Sequence, residues 1–238
     1  MNENGVELSG KIGAVPVVDL RNMKSVDELR NITRISAVGA ILLSDTFQGT
    51  LASIPMNSVG TVIRLPDEGK VNQIGGTMKL GGEFLENQGA DGSDILLVTG
   101  ELLITSPPKK FGYKQLIVVG QLFIPRESMS VVTPFITQSS GEIIAYDHHN
   151  PRLLMGGGQL GREFFEYMKK PITLILMGEF IIEKDVDAQL LQEKVTEIIL
   201  MGVLKTVDKK LIPILTALTE EQMGTIETAV SFERNPHG

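Results

Sequence analysis

The sequence predicts a mostly β protein, and more narrowly a right-handed β-solenoid with a few short helices. Three observations lead to this prediction. A strand-like pattern with an internal glycine recurs along the 238 residues, its glycines often return every 20 to 24 residues, and its strands are apolar on both faces. A strand motif at that spacing is typical of a solenoid, in which each coil adds one strand to a parallel sheet.

The recurring pattern is apolar, any, apolar, any, glycine, any, apolar. Its period of two is the period of a β-strand. A glycine within a strand indicates a bend or a place where another backbone comes close. Clear copies are centred on the following glycines: Gly39, Gly60, Gly100, Gly120, Gly178 and Gly202. Weaker copies surround Gly76, Gly141 and Gly224.

The alternate positions of these strands are apolar too, as Ile117, Val119 and Phe123 illustrate around Gly120. Strands that are apolar on both faces are usually buried on both faces. We therefore expect a second layer over the strands, which could be helices, a second sheet or a partner chain.

The order of the repeats predicts one solenoid domain over residues 25–232. Residues 1–24 are expected to cap the first coil, because terminal repeats must shield an apolar end. Residues 233–238 are expected to form a loose tail. The segments 81–86 and 161–166 resemble each other, which indicates three blocks at 25–82, 83–160 and 161–232.

Four short helices are predicted between strands. Residues 25–28 form a Ser-x-x-Glu capping box, and residues 219–223 begin with a similar Thr-x-x-Gln pattern. Residues 163–169 and 186–194 carry apolar side chains on one helical face. Such helices could close the coils as in leucine-rich repeats, whose coils have about 20–29 residues. Coils of the parallel β-helix type are the alternative.

The short coils, apolar strands and recurring glycines resemble the repeat style of β-helical scaffolds such as bactofilins. This resemblance implies a scaffold without catalytic machinery. The leucine-rich-repeat consensus differs, because it places Asn or Cys after the strand, whereas glycine lies inside the strand here.

Composition narrows the function classes. The formal charge of −7 disfavours nucleic acids and anionic membranes as partners, because both attract a basic surface. The lack of cysteine excludes disulfides, zinc thiolates, iron–sulfur clusters and cysteine catalysis. Apolar runs fall well short of the ~20 residues that a bilayer-spanning helix needs. With a polar, acidic start, these features predict a cytoplasmic protein without membrane insertion and without a cofactor.

Three carboxylates are candidate catalytic residues. Glu101, Glu142 and Glu179 each follow a repeat glycine, so coils stacked in register would align them. Glycosidases use two carboxylates on one face. Thr61, Gln121 and Val203 hold the same position elsewhere, which favours a solvent-facing polar row instead.

Two further motifs suggest binding. Gly156, Gly158 and Gly161 match a G-x-G-x-x-G nucleotide fingerprint, although their surroundings favour a glycine-rich turn between blocks. Asp147 and His149 could share a face as metal ligands or as an acid–base pair. The alternative for that pair is a polar loop that ends at Asn150 and Pro151.

Repeats without a convergent polar site predict a non-enzymatic scaffold or protein-interaction module that binds itself or another protein. The alternative is a carbohydrate-active β-helical enzyme, or a ligand-binding protein, that uses acids along the sheet. Nucleotide binding at the glycine-rich motif is a third hypothesis.

Overall fold

The computed structural model describes residues 10–21, 23, 25–65, 69–89, 92–147 and 150–229. Strands dominate these ranges, which confirms the mostly β class. The strands are β1 Gly10–Asp19, β2 Ile32–Ser44, β3 Met56–Leu65, β4 Val71–Ile74, β5 Thr77–Leu80, β6 Ile95–Val98, β7 Glu101–Ile104, β8 Gln115–Val118, β9 Gln121–Pro125, β10 Ile136–Ser139, β11 Glu142–Tyr146, β12 Arg152–Leu160, β13 Ile172–Ile182, β14 Val195–Thr206, β15 Thr219–Gln222 and β16 Thr225–Thr228.

Short helices connect many of the strands. The α-helices are α1 Val26–Arg30, α2 Gln48–Leu51, α3 Glu83–Glu86, α4 Met129–Val132, α5 Arg162–Glu166, α6 Ala188–Lys194 and α7 Ile212–Leu218. None of the helices in the described part combines the length and apolarity that a bilayer crossing needs.

The strands form four parallel sheets. Their orders are β1-β2-β3, then β4-β6-β8-β10, then β5-β7-β9-β11, then β12-β13-β14 with β15 and β16 both beside β14. We call a strand position and the connection that leads to its neighbour in the same sheet a coil, without reference to the path of the whole chain. In the two middle sheets each coil contributes two short strands, separated by a pair of residues whose second member is a repeat glycine. In the first and fourth sheets most strands run through the glycine position without a break.

The repeat glycines stack on one another in what we call glycine columns. A Cβ on Gly100 would collide with the carbonyl oxygen of Gly76, and one on Gly120 would collide with that of Gly100. Successive coils therefore approach so closely that no side chain fits between them. The three columns contain Gly39 and Gly60; Gly76, Gly100, Gly120 and Gly141; and Gly156, Gly178, Gly202 and Gly224.

Two compact units make up the chain. The first comprises Met1–Ile104, Pro108–Phe123 and Ser128–Ile143, and the second comprises Thr105–Pro107, Ile124–Glu127 and Ile144–Gly238. The three-block division and the capping role of residues 1–24 stay predictions. Within residues 1–24, strand β1 pairs with β2 as a further strand of the first sheet.

In the first unit, each face of the first sheet contributes residues to a buried core. One face contributes Ile35 and Ile41 to a core with residues of α1 and α2. The other contributes Ala40 and Leu42 to a second core, which includes Leu97 of β6. The second layer that the sequence requires is therefore, for this sheet, another sheet of the same unit.

The second unit has its own core between the fourth sheet and three helices. Leu174, Leu176 and Leu200 point into it, together with Phe165 of α5 and Leu191 of α6. Alternate residues of β13 and β14 face the other way, in agreement with the period of two.

Three of the predicted helices are present, with shifted ends. Ser25 caps α1 by accepting a hydrogen bond from the Glu28 backbone N–H at 3.3 Å, as the capping box predicts. The helix predicted over residues 219–223 is wrong, because Thr219–Gln222 is strand β15. Thr219 instead ends α7, where its hydroxyl donates to the Leu215 carbonyl at 2.7 Å. A Thr near a helix end can satisfy either terminus, and the parallel register with β14 decides the conformation here.

Candidate functional site

Strand β3 presents a long open edge. Among the described residues it pairs only with β2, its predecessor in the stack. Most of its side chains are exposed or half-buried, and Met56 is 43% exposed. An open edge carries unpaired backbone donors and acceptors, which another strand can bind.

A shallow groove of about 380 Å³ follows this edge. Gly60 lies within it, between Val59 and Thr61, so the groove floor is partly backbone. Proteins usually protect such edges with proline, lysine or a covering segment. The ten residues of β3 contain no proline and one charged side chain, that of Arg64.

Strand β12 presents a second open edge. Among the described residues it pairs only with β13, its successor. Gly156, Gly157 and Gly158 lie exposed within this strand, so the expectation of a glycine-rich turn is wrong. These glycines continue the parallel register with β13, where Gly156 lies beside Gly178. Gly161 precedes α5, a helix of five residues.

The first glycine of this column differs from those that follow it. A Cβ on Gly178 or Gly202 would collide with the carbonyl oxygen of the preceding coil, whereas a Cβ on Gly156 would meet no atom within 4 Å. The preceding side of β12 thus has an unfilled position at Gly156. The nucleotide-binding hypothesis for Gly156, Gly158 and Gly161 stays a prediction, with the first two inside strand β12 rather than in a phosphate-binding turn.

Two of the three candidate carboxylates, Glu101 and Glu142, lie in one row of the first unit with Gln121 between them. Thr77, Glu101 and Gln121 are direct partners in adjacent strands, and Gln121 donates to Glu142 at 3.0 Å. The Thr77 hydroxyl donates to Glu101 at 2.8 Å. Each of these two carboxylates therefore accepts a hydrogen bond from a neutral side chain in the preceding coil. Their catalytic role stays a prediction.

Glu179 lies in the second unit, on the outward face of β13. Its carboxylate accepts a hydrogen bond from the Lys205 ammonium at 2.6 Å, and the Glu179 side chain is 57% exposed. This bond raises the pKa of Lys205 and marks Glu179 as half of a surface ion pair.

The second unit also contains a buried carboxylate that the sequence did not point to. Glu197 is 1% exposed, and its Oε2 accepts the backbone N–H of Asp147 at 2.7 Å. Arg126 lies 3.4 Å from its Oε1, and the Thr173 hydroxyl lies 3.5 Å from its Oε2. Thr173 also donates to the Asp147 carbonyl at 2.6 Å.

Burial governs the titration of this cluster. Desolvation raises the pKa of Glu197, opposed by the hydrogen bond from Asp147 and the charge of Arg126. Burial also raises the pKa of the Tyr146 phenol, and the charge of Glu197 adds to that shift. The cluster joins the segment around Asp147 to β13 and β14. A buried acid held in this way stabilises that junction rather than meeting a substrate.

The metal hypothesis rests on Asp147 and His149. The Asp147 carboxylate lies 3.6 Å from the Arg126 guanidinium, while His149 falls outside the described residues. Across the ranges that the structure describes, no group of three His, Asp or Glu side chains could hold a metal ion. The pair thus stays a prediction.

Glu197 had one sequence signal. The parallel register places Glu197 beside Thr173. In two consecutive coils a polar residue therefore lies two positions before an apolar residue that faces away from the core of this unit. Its partner Arg126 lies 71 residues earlier, a separation that repeat spacing does not reveal.

No protein-family model matches this chain, and no curated protein or solved structure shows significant similarity to it.

Proposed function

We propose that this chain is a non-enzymatic β-solenoid scaffold that self-associates by pairing β3 of one copy with β12 of another. The observation that carries the proposal is the open edge of β3, ten residues long and without proline. Main-chain pairing along such an edge supplies affinity without a side-chain pocket.

The two edges have opposite senses, which favours a second copy as the occupant. β3 lacks a following strand, and β12 lacks a preceding one. Joining them would continue a parallel stack, with Gly60 delivering its carbonyl to the unfilled position at Gly156. That register would place Arg64 opposite Leu160 and Arg152 opposite Met56, so like charges would not meet.

The test is a mass measurement by light scattering behind a sizing column, over a hundredfold range of protein concentration. We expect the mass to rise with concentration, because a pair of copies still has one open β3 edge and one open β12 edge. A constant monomer mass across the range would overturn the proposal.

The carboxylate row supports a second candidate function, hydrolysis of an extended carbohydrate. Glu101 and Glu142 lie on one face with Gln121 between them, a separation of about 10 Å from the strand spacing. That is close to the upper limit for an inverting pair of acids. The double variant Glu101→Gln/Glu142→Gln would abolish hydrolysis of a polysaccharide panel if this function holds. Lack of any activity in the unaltered chain would contradict it.

A further inference from the structure

Four methionines of the second unit lie in one row across the fourth sheet, and we call them the methionine row. Met155 is the direct partner of Met177, and Met177 is the direct partner of Met201. The Met223 backbone N–H donates to the Leu200 carbonyl at 2.8 Å. This bond places Met223, in the coil after β14, beside Met201. Each of the four precedes a glycine of the same column.

The row faces away from the core. None of its members belongs to the core cluster of this unit, to which the adjacent Leu176 and Leu200 belong. Met155 is 43% exposed and Met223 is 42% exposed, while Met177 and Met201 are half-buried. The thioethers at both ends of the row are thus within reach of solutes.

A general need for apolar side chains does not explain the row. Two residues earlier on the same face, β12, β13 and β14 carry Leu153, Ile175 and Ile199, which are branched aliphatic residues. In these three strands the change from a branched aliphatic side chain to an unbranched thioether occurs at the same register position, and the fourth coil has Met223 there although Glu221 precedes it by two residues. Four of the chain's ten methionines lie in this one row.

Aligned thioethers are suited to a soft cation. Thioether sulfur favours Cu(I) among the biological metals, and methionine has three rotatable bonds with which to adapt its position. Paired residues on neighbouring strands are about 4.8 Å apart, so adjacent thioethers can converge on one ion. The chain has no cysteine, hence methionine is its only sulfur donor. Glu179 lies two residues after Met177 on the same face, and its ion pair with Lys205 leaves no net positive charge there.

We propose that the methionine row binds a soft monovalent cation, Cu(I) or its redox-stable analogue Ag(I), between adjacent thioethers. This proposal does not depend on self-association, because Met177 and Met201 lie on β13 and β14, which already have a neighbouring strand on both sides, and not on the open edge of β3 or of β12.

The experiment uses the full chain with 13C-labelled methionine methyl groups, titrated with silver nitrate in chloride-free buffer. We expect the Met177 and Met201 methyl resonances to shift first. Met56 and Met78, which are 43% and 38% exposed outside the row, serve as internal controls and should not shift at the same silver concentration. A shift of the control methyls together with the row would overturn the proposal.

Variants give an independent readout by calorimetry. The double variant Met177→Leu/Met201→Leu keeps the side-chain volume and removes two thioethers, so silver affinity should fall at least tenfold. The matched variant Met56→Leu/Met78→Leu should bind as the unaltered chain does. Both are made in a His148→Asn/His149→Asn/His237→Asn background, which removes all three imidazoles and serves as the unaltered chain in the comparison. An affinity within twofold of the unaltered chain in the row variant would also overturn the proposal, and the exposed pair Met155→Leu/Met223→Leu serves if that variant does not fold.

Discussion

The carbonyl oxygen of Gly178 occupies the place where a side chain on Gly202 would begin. Gly202 also has a φ of +142°, a backbone conformation that residues with a Cβ rarely adopt. Close approach and backbone conformation thus both require glycine at this position in the stack.

Replacing Gly202 with Ala should lower the free energy of unfolding by about 3 kcal/mol, because the methyl group adds a steric clash to backbone strain. Urea denaturation measures this change. Gly49→Ala is the control, since a Cβ there meets no atom within 4 Å and its helix α2 favours alanine. Equal stability of Gly202→Ala and the unaltered chain would contradict the close stacking.

The first sheet places alanine where glycine would be more favourable. Ala37 has a φ of +53°, and Ala14 and Ser58 have similar values in the neighbouring coils. We expect Ala37→Gly to raise the free energy of unfolding by about 0.5–1 kcal/mol. Removing the Cβ relieves steric strain in the left-handed conformation, and this gain exceeds the cost of the added entropy of the unfolded chain. Thermal unfolding would reveal it. Ala40→Gly, at a fully buried strand position, should instead destabilise the protein, and a loss at both positions would refute the reasoning.

Glu197 should make stability depend on pH. Because its folded pKa is raised, the folded protein binds a proton in a pH range where the unfolded chain has lost it. The free energy of unfolding therefore falls as pH rises from the ordinary pKa of a glutamate through the raised pKa of Glu197. Glu197→Gln cannot titrate at this position, so the unaltered chain should lose stability relative to this variant between two pH values, one near the ordinary glutamate pKa of about 4.3 and one well above it. Urea titrations of both proteins at the two pH values measure the difference, and a pH-independent difference would contradict the assignment.

Charges placed on the open edges should block self-association. Val62 is partly buried at the edge of the core of the first unit, and Val62→Lys would place an ammonium where a following strand should pack. Gly158→Lys would do the same on β12, where a Cβ meets the Phe180 ring no closer than 3.9 Å. Either variant should stay monomeric in light scattering at concentrations where the unaltered chain associates.

Gly49→Lys is the matched control for these edge variants, because it adds the same charge on α2. It should associate like the unaltered chain. If all three lysine variants associate equally, the edges of β3 and β12 are not the interface.

The repeat was readable from sequence because its determinants are local. Alternation around Gly120 or Gly178 is a property of a few adjacent residues, and the parallel registers follow it. The separation into four sheets was not readable, since it depends on how bends at glycines such as Gly100 and Gly120 divide a coil. The prediction at Thr219 failed for a related reason, because the Thr-x-x-Gln pattern does not by itself distinguish the end of the preceding helix, α7, from the start of a new helix.

Some features of the candidate sites could likewise be predicted from the sequence, and others could not. The alignment of Glu101 with Gln121 follows from repeat spacing, and the structure has that register. The open edges of β3 and β12 depend on which strands lack a neighbour, and the alternation of apolar residues in the sequence does not predict that. Glu197 was missed because its partners come from loops whose positions are set by tertiary packing.

The glycine columns also determine where the chain can change length. Successive glycines within a column are 20 to 24 residues apart, yet their strands keep one parallel register. The difference is absorbed by the connecting segments, which contain a seven-residue helix in one coil and no helix in another. A change in the length of a connecting segment would thus leave the strand register intact, whereas an insertion within a strand would move the glycine of that coil out of its column.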